Sequence, residues 1–380
     1  NSGTGGDMSQ FKDEDDEDLP TAFLFNGSDS DEEGSGAGNS DNNDVITLKY
    51  DTYTRSILGG VGCGLNTLTL ALVSKHHSLW AEFVYNAARV IADRIDDERI
   101  NCRGMKCLEL GAGAGLPGLM AAIRGASEVV ISDYGTDFDY SLVYAMDKNI
   151  QWLLERTSAS TVPSIGDQVP PSANLPVPAP VRSESTSTPT SSPITVTQRL
   201  YGVGYVWGYP VLPLLDCENN YQPCAAIADI DCSSDFASYV QSKKQFRIET
   251  NNIGNYSTTC SQDAVANSND GKQSPDLDGL KFDVILLADL IFNRSEHNKL
   301  LWTVKECLKP NSGVCYVTYS HHDPGKKALD LNFFTLAESP AYGFTVTRVA
   351  EEERQSYPFV EQDGLDAQRG VVYLCTLQLL

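Results

Sequence analysis

A short apolar strand that runs directly into a glycine-rich turn is the feature that most restricts the fold of this 380-residue chain. The segment is Cys107-Leu-Glu-Leu-Gly-Ala-Gly-Ala-Gly115, and a helix is predicted to begin at about Leu116. Glycines allow a backbone to approach a ligand closely, and the N-terminus of the following helix offers free N–H groups. The segment therefore predicts an α/β fold with a ligand site at this turn.

A second element of the same site is an acid that follows the next strand. Asp133 stands twenty residues after Gly113, at the end of a predicted strand over Glu128–Ser132. A carboxylate at that place in an α/β sheet can accept hydrogen bonds from both hydroxyls of an adenosine ribose. The ligand is therefore predicted to contain adenosine.

The glycine turn has two interpretations. Residues 113–118 fit the dinucleotide pattern G-x-G-x-x-G, but Pro117 would then lie between its second and third glycines. Proline is better suited to the first turn of a helix, where its missing N–H costs nothing. Glu109 precedes the first glycine, a position where methyltransferases commonly carry an acid. The pattern therefore favours S-adenosylmethionine as the cofactor over a nicotinamide dinucleotide.

The remaining ordered sequence alternates between helical and strand patterns, which is typical of a parallel sheet with helices on both faces. We predict a Rossmann-like class I methyltransferase fold: a seven-strand, mostly parallel sheet, with helices on both faces and a terminal antiparallel hairpin. Helices are predicted over residues 77–96, 137–152, 296–308 and 330–339, strands over 282–287 and 314–318, and the hairpin over 344–349 and 371–377.

Composition divides the chain and excludes several classes of function. Residues 1–44, with thirteen acids against Lys12, predict a disordered tail; the methyltransferase domain would span 45–380, with low-complexity insertions at about 157–193 and 216–278. A net charge of −23 without a basic stripe argues against nucleic acid as a partner. Scattered cysteines, no leader, no membrane span and no metal-ligand spacing predict a cytoplasmic protein without a metal.

Five segments of the chain resemble the fungal family called nicotinamide N-methyltransferase-like, which is associated with translation elongation factor 1-alpha. They are residues 77–80 (His-Ser-Leu-Trp), 86–93, 108–117, 204–208 (Gly-Tyr-Val-Trp-Gly) and 287–301. The resemblance implies methyl transfer to the N-terminal glycine and adjacent lysine of that elongation factor as protein partner. Members often have alanines where Gly113 and Gly115 stand, and the two insertions are larger departures.

The resemblance also implies roles for individual residues. The glycine turn would line the methionine part of the cofactor, and Asp133 would hold the ribose. Trp207 would lie against the adenine, and Trp80 would close the pocket. The Ala288 backbone would contact the cofactor. The predicted cofactor-binding residues are Trp80, Gly111, Ala112, Gly113, Asp133, Trp207 and Ala288. The alternative for both tryptophans is ordinary core packing.

The acceptor is expected to meet the segment Asp289-Leu-Ile-Phe292, which follows the fourth parallel strand. This segment has the D-x-x-F/Y form of related protein lysine methyltransferases. Asp289 and Phe292 are the predicted catalytic residues, because a carboxylate can orient an amine and an aromatic face attracts methylammonium. Alternatively, Asp289 only caps the loop, and the acceptor contact would then move to Phe292, Asn293 or the loop from Tyr319 to His322.

Two other functions stay open at this point. The older family name implies methylation of a small pyridine such as nicotinamide, for which a closed aromatic pocket would be expected, whereas an open acidic groove would favour a protein. The other is a non-catalytic module that keeps the cofactor fold. The intact glycine turn, together with Asp133, Trp207 and Asp289, argues against that loss of activity.

Overall fold

The computed structural model describes residues 46–55, 65–74, 82–135, 140–159, 196–197, 199–217, 277–353 and 370–379. Trp80, the predicted acidic tail and most of both predicted insertions lie outside these ranges. No helix within them is both long and apolar enough to cross a membrane.

The described chain alternates between strands and helices. Its strands are β1 (Leu48–Thr54), β2 (Thr67–Val73), β3 (Lys106–Leu110), β4 (Glu128–Asp133), β5 (Leu200–Gly204), β6 (Val284–Ala288), β7 (Val314–Tyr319), β8 (Phe344–Glu353) and β9 (Val371–Leu379). Its helices are α1 (Asn86–Asp96), α2 (Leu116–Ile123), α3 (Ser141–Ala159), α4 (Leu212–Leu215), α5 (His297–Cys307) and α6 (Lys327–Ala337).

Seven of the described strands form one sheet, in the order β5-β4-β3-β6-β7-β9-β8. The ladders from β5 to β7 are parallel, and β9 runs antiparallel between β7 and β8. Helices α1 to α3 pack on one face, where Cys107 points, and α4 to α6 pack on the other face, where Leu108 points. The predicted fold class is therefore confirmed.

From β3 the chain adds β4 and β5 on one side of the sheet, and it then returns to add β6 on the other side of β3. The strand order therefore reverses between β3 and β6. In open α/β sheets, ligands bind beyond the carboxyl ends of the strands at such a switch point. The glycine turn follows β3, and Asp289 follows β6. The fold thus brings together two segments that are far apart in the sequence.

The structure differs from the sequence predictions at several element boundaries. The helix predicted over residues 77–96 begins only at Asn86, because Tyr85 has an extended backbone; residues 77–81 lie outside the described ranges. The helix predicted over 137–152 is displaced to Ser141–Ala159, three residues into the predicted insertion. Phe282 forms an isolated bridge to Leu308, so the strand predicted over 282–287 begins at Val284.

The antiparallel pair β1 and β2 was not predicted, and it helps to position the glycine turn. Asn149 of α3 connects the two: its Oδ1 accepts a hydrogen bond from Ala71 N at 2.6 Å, and its Nδ2 donates to Ala71 O and Ala114 O, both at 3.0 Å. All three hydrogen bonds are buried, and a buried polar group that loses its partner is costly. One side chain therefore ties the hairpin to the turn.

Candidate active site

A cavity of about 340 Å³ opens beyond the carboxyl ends of β3, β4 and β6. This volume falls within the ~300–1,000 Å³ that small-molecule sites occupy. The wall includes backbone from the glycine turn, six aromatic residues and three acids. The aromatic residues are Phe83, Tyr85, Tyr134, Tyr205, Trp207 and Phe292, and the acids are Asp133, Asp289 and Glu296.

The turn after β3 has a backbone that glycine adopts easily. Gly111, Gly113 and Gly115 have φ angles of 60°, 54° and 74°. A Cβ on Gly111 would lie 2.6 Å from Leu290 Cδ2 and 3.0 Å from Trp207 Cζ2, whereas a Cβ on Gly113 would meet nothing within 4 Å. The chain is therefore tightly packed at Gly111, and the Gly113 backbone has open space beside it.

Asp133 is fixed by the turn that it faces. Its Oδ2 accepts a hydrogen bond from Gly113 N at 2.5 Å, and its Oδ1 accepts from Tyr134 N at 2.6 Å. Each carboxylate oxygen has a second lone-pair site for a further donor. The side chain is thus held in one orientation, and its carboxylate retains the capacity to accept hydroxyl groups.

Glu109 is buried beneath the turn. Gly118 N donates to its Oε2 at 2.7 Å, and its Oε1 has no hydrogen-bond partner among the described residues. Burial raises the pKa of Glu109 well above its usual range; the Gly118 hydrogen bond lowers it, and the nearby Asp133 charge raises it further. The neutral form of Glu109 is therefore favoured beneath the turn.

Asp289, at the other end, has a strained backbone and is held by the end of β7 and the loop that follows it. Its φ is 61°, a left-handed conformation that costs a residue with a Cβ roughly 1–2 kcal/mol. Its N donates to Thr318 O at 2.8 Å, and its Oδ1 accepts from Ser320 N at 3.2 Å. His322 Nε2 donates to its Oδ2 at 3.0 Å. Strain of this kind clusters at functional sites.

Eight of the nine predicted site residues line this single cavity, although their individual roles stay predictions. They are Gly111, Ala112, Gly113, Asp133, Trp207, Ala288, Asp289 and Phe292. Trp207 lies against Gly111, so its ring covers the glycine turn. The ninth, Trp80, lies outside the described residues. The residues predicted for the cofactor side and those predicted for the acceptor side thus line one cavity.

Sequence reasoning missed several residues of the wall. Phe83 and Tyr85 lie in the segment that was predicted to be helical, and Glu296 ends a short 3-10 turn before α5. His322, which contacts Asp289, was not missed: it lies in the loop after β7, the alternative acceptor segment, because the carboxyl end of β7 borders the same crevice as that of β6.

The cavity fits S-adenosylmethionine. Asp133 presents a carboxylate for ribose hydroxyls, Trp207 and other rings provide apolar surface for a base, and the open backbone at Gly113 leaves room for the amino-acid part. The N-terminus of α2 follows the turn directly. These groups match the sugar, the base and the polar end of that cofactor.

Comparisons with known proteins show what the chain is similar to. A family model described as lysine methyltransferase matches residues 65–163. The chain is 28% identical over 311 residues to the protein N-terminal and lysine N-methyltransferase EFM7 of Gibberella zeae, covering 80% of this chain and 81% of the relative. It is 26% identical to the proteins of the same name in Schizosaccharomyces pombe (79% and 77% covered) and Candida albicans (79% and 78% covered).

These comparisons confirm the predicted class of enzyme, an S-adenosylmethionine-dependent N-methyltransferase. The relatives carry the protein N-terminal and lysine name rather than the nicotinamide name that the sequence resemblance suggested.

Proposed function

We propose that this enzyme methylates the N-terminal glycine and the adjacent lysine of translation elongation factor 1-alpha, in the cytoplasm. The observation that carries the proposal is the single cavity that Asp133 borders at one end and Asp289 and Phe292 at the other. A methyl donor at the first end and an amine at the second would then share one space. The names of the relatives support a protein amine as acceptor.

On the cofactor side, the chain supplies orientation. The Asp133 carboxylate would accept the ribose hydroxyls, and the backbone of Gly111, Ala112 and Gly113 would line the methionine part. Trp207 would cover the adenine, and the Ala288 backbone would contact the cofactor from β6. When bound, the sulfonium supplies a strongly electrophilic methyl group.

On the acceptor side, the chain must present a neutral amine in line with that methyl group. Asp289 would orient the amine through a hydrogen bond, and Phe292 would attract the growing positive charge on the methylated product by a cation–π interaction. Correct positioning of reacting groups accounts for a large part of such rate enhancement. An α-amine with a pKa of ~7.7–8.0 is more often neutral than a lysine with a pKa of ~10.4.

A second candidate function is methylation of a small pyridine such as nicotinamide. The rings of Phe83, Tyr85 and Phe292 in the cavity wall favour a flat aromatic ligand. Three carboxylates in the same wall favour a cation, as a protein amine is before it loses its proton. The charge of the cavity therefore supports the protein acceptor more strongly.

The direct test is incubation of the full chain with labelled S-adenosylmethionine and recombinant elongation factor 1-alpha, followed by peptide mass spectrometry. The expected result is methyl groups on the N-terminal glycine and the adjacent lysine only. An elongation factor with an acetylated N-terminus is the matched control, and it should lose the α-amine signal. Methylation of nicotinamide but not of either amine would reject the proposal in favour of the second candidate.

Two variants separate the ends of the cavity. Asp133→Asn keeps the shape but loses acceptor capacity, so it should weaken binding of S-adenosylhomocysteine roughly 10- to 100-fold, corresponding to ~1.5–3 kcal/mol for a hydrogen bond to a charged group. Asp289→Asn tolerates the left-handed backbone, as asparagine often does, and should keep that affinity while turnover falls about a hundredfold. Equal effects of the two variants on affinity would contradict this assignment.

A further inference from the structure

The imidazole of His322 is clamped between two rings of the cavity wall. Its centroid lies 4.6 Å from that of Phe292 with an 18° interplanar angle, and 5.8 Å from that of Tyr85 with a 30° angle. Both neighbours line the cavity, and the His322 side chain is only 17% exposed. The ring is therefore fixed in one plane directly behind the surface that an acceptor would meet.

That plane aims one nitrogen of His322 at the acceptor-side carboxylate. His322 Nε2 is 3.0 Å from Asp289 Oδ2, while the other Asp289 oxygen is occupied by Ser320 N. Asp289 itself lines the cavity and is 6% exposed. The carboxylate thus has an imidazole on its protein side and the cavity on its other side, which is the arrangement of a pair that can share a proton.

Charges from every neighbouring segment act on this histidine. Burial lowers the pKa of His322, but the charge and hydrogen bond of Asp289 outweigh it, and Asp330 of α6 raises the pKa further while Arg294 lowers it. The pKa of His322 therefore lies above the usual value of 6.5. Asp330 is itself bound by Arg294 and His321, at 2.9 and 2.8 Å. Tyr85 contributes a ring from the segment before α1.

We propose that Asp289 and His322 form a proton-accepting pair for a protein α-amine, with Asp289 touching the acceptor and His322 as the positioning residue that balances the charge of that carboxylate. The inference rests on the proposed function. The acceptor arrives as an ammonium group, and one N–H proton passes to the pair. The freed lone pair forms the new N–C bond as the C–S bond breaks, and the bonding electrons stay on sulfur. The pair later releases its proton to water.

This arrangement discriminates between acceptors. A histidine with a pKa above 6.5 is closer to an α-amine at ~7.7–8.0 than to a lysine at ~10.4, and proton transfer is most efficient when the two values are close. The pair should therefore assist the N-terminal amine more than the lysine that follows it.

The test is His322→Gln in the full chain, because glutamine can still donate to Asp289 but cannot titrate. The substrate is a peptide copying the elongation factor N-terminus, with its lysines acetylated. At about pH 7.5, where much of the α-amine still carries its proton, the variant should lose about 10²–10⁴ in kcat/KM, the usual contribution of general acid–base catalysis. Above pH ~9 the loss should shrink to less than about tenfold, because water has already deprotonated the amine. A loss that is constant with pH would overturn the inference.

His321→Gln is the matched control. His321 is also buried and bound to a carboxylate, Asp330, but its ring packs against Tyr319 and Tyr373 rather than against the cavity wall. Any loss that it causes is structural and should be the same at every pH. If the His321 and His322 variants respond to pH in the same way, His322 has no special part in proton transfer.

A binding-independent measurement separates this inference from the proposed function. The chain has five histidines, so NMR of histidine-labelled protein can follow the titration of His322 directly. Its pKa should lie above 6.5 and fall in Asp289→Asn. If the wild-type enzyme methylates no peptide α-amine, the proposed function fails, but this titration still decides whether the pair exists. An unchanged titration in Asp289→Asn would reject the pair.

Discussion

Gly111 and Gly113 share a left-handed backbone but have different surroundings, and this difference allows strain to be separated from packing. Alanine at either position costs roughly 1–2 kcal/mol for the backbone alone. At Gly111 the new methyl would also displace Leu290 and press on Trp207, both in the cavity wall. We expect Gly111→Ala to weaken S-adenosylhomocysteine binding at least tenfold, as measured by calorimetry.

Gly113→Ala is the comparison for stability, because its Cβ would meet no protein atom within 4 Å. Thermal unfolding should show the cost of backbone strain alone in Gly113→Ala and a larger cost in Gly111→Ala. Any loss of affinity in Gly113→Ala would come from the ligand itself, because neither Leu290 nor Trp207 lies beside Gly113.

The buried carboxyl group of Glu109 predicts a specific dependence of stability on pH. Since folding raises its pKa, the native state holds the proton more tightly than the unfolded chain. The free energy of unfolding therefore declines as pH rises above the unfolded value of ~4.3, by at most ~1.36 kcal/mol per pH unit. Glu109→Gln removes this contribution, so its stability should decline less between pH 4.5 and 7.5 in urea titrations. Parallel curves for the two proteins would contradict the raised pKa.

At the scale of elements, the close contact between β5 and α3 depends on a glycine, Gly202 of β5, which has no side chain. A Cβ on Gly202 would lie 1.8 Å from Asp147 Oδ1, so alanine cannot fit unless the Asp147 side chain or α3 shifts. Gly202→Ala should cost about 1–3 kcal/mol, the usual cost of overpacking, in urea unfolding. Because α3 also carries Asn149, the shift should loosen the glycine turn and lower cofactor affinity.

The double variant Gly202→Ala with Asp147→Ala tests the cause. Removing the carboxylate makes room for the new methyl, so the two changes together should cost less than their sum, by about 0.5–3 kcal/mol. Gly279→Ala has no atom within 4 Å of the new Cβ and should stay within about 0.5 kcal/mol of wild type. Strict additivity would show that Asp147 is not the obstacle.

The sequence allowed prediction of the elements whose side chains repeat with a fixed period. The apolar runs of β3, β4, β6 and β7 are buried on both faces of the sheet, and acids that follow parallel strands must meet at one edge. This is why Asp133 and Asp289 could be placed in one site before the structure was known.

The remainder depends on contacts that leave no periodic signal. Nothing local in Leu48–Thr54 indicates that it pairs with β2, because that hairpin is stabilised by tertiary packing, including the hydrogen bond from Tyr53 Oη to Asp93 Oδ1 at 2.6 Å. The rings of Tyr85 and His322 contact each other in a tilted arrangement although they are distant in the sequence. Their contact follows from how α1 and β7 pack, which a single sequence does not reveal.

At the scale of the whole molecule, one partly buried lysine holds together the described chain on either side of residues 218–276. Lys106 Nζ donates to Leu215 O at 2.9 Å and to Leu280 O at 2.8 Å, and it pairs with Glu128 at 3.0 Å. The two carbonyl oxygens are therefore no more than twice 2.9 Å apart. The chain before residue 218 and the chain after residue 276 thus come close together at Lys106.

This closeness predicts that the segment can be removed. A six-residue Gly-Ser linker spans roughly 12–15 Å as a flexible coil, enough to join Cys217 to Leu277. Because the composition of 218–276 lacks sustained periodicity, we expect the shortened protein to keep its affinity for S-adenosylhomocysteine in calorimetry. Its unfolding free energy should rise by up to about 2 kcal/mol, since a shorter loop costs less entropy to close. A large loss of affinity would mean that the segment forms part of the cavity.

Lys106→Met shows whether the lysine acts by closing this loop. In the full chain it removes two hydrogen bonds and an ion pair, while Glu128 keeps its contact with Arg199. In the shortened chain the linker already holds Leu215 and Leu280 together, so the same substitution should cost less in urea unfolding. If the cost is equal in both proteins, Lys106 stabilises the fold through Glu128 and the buried carbonyls alone, and the ends of the segment need no tether.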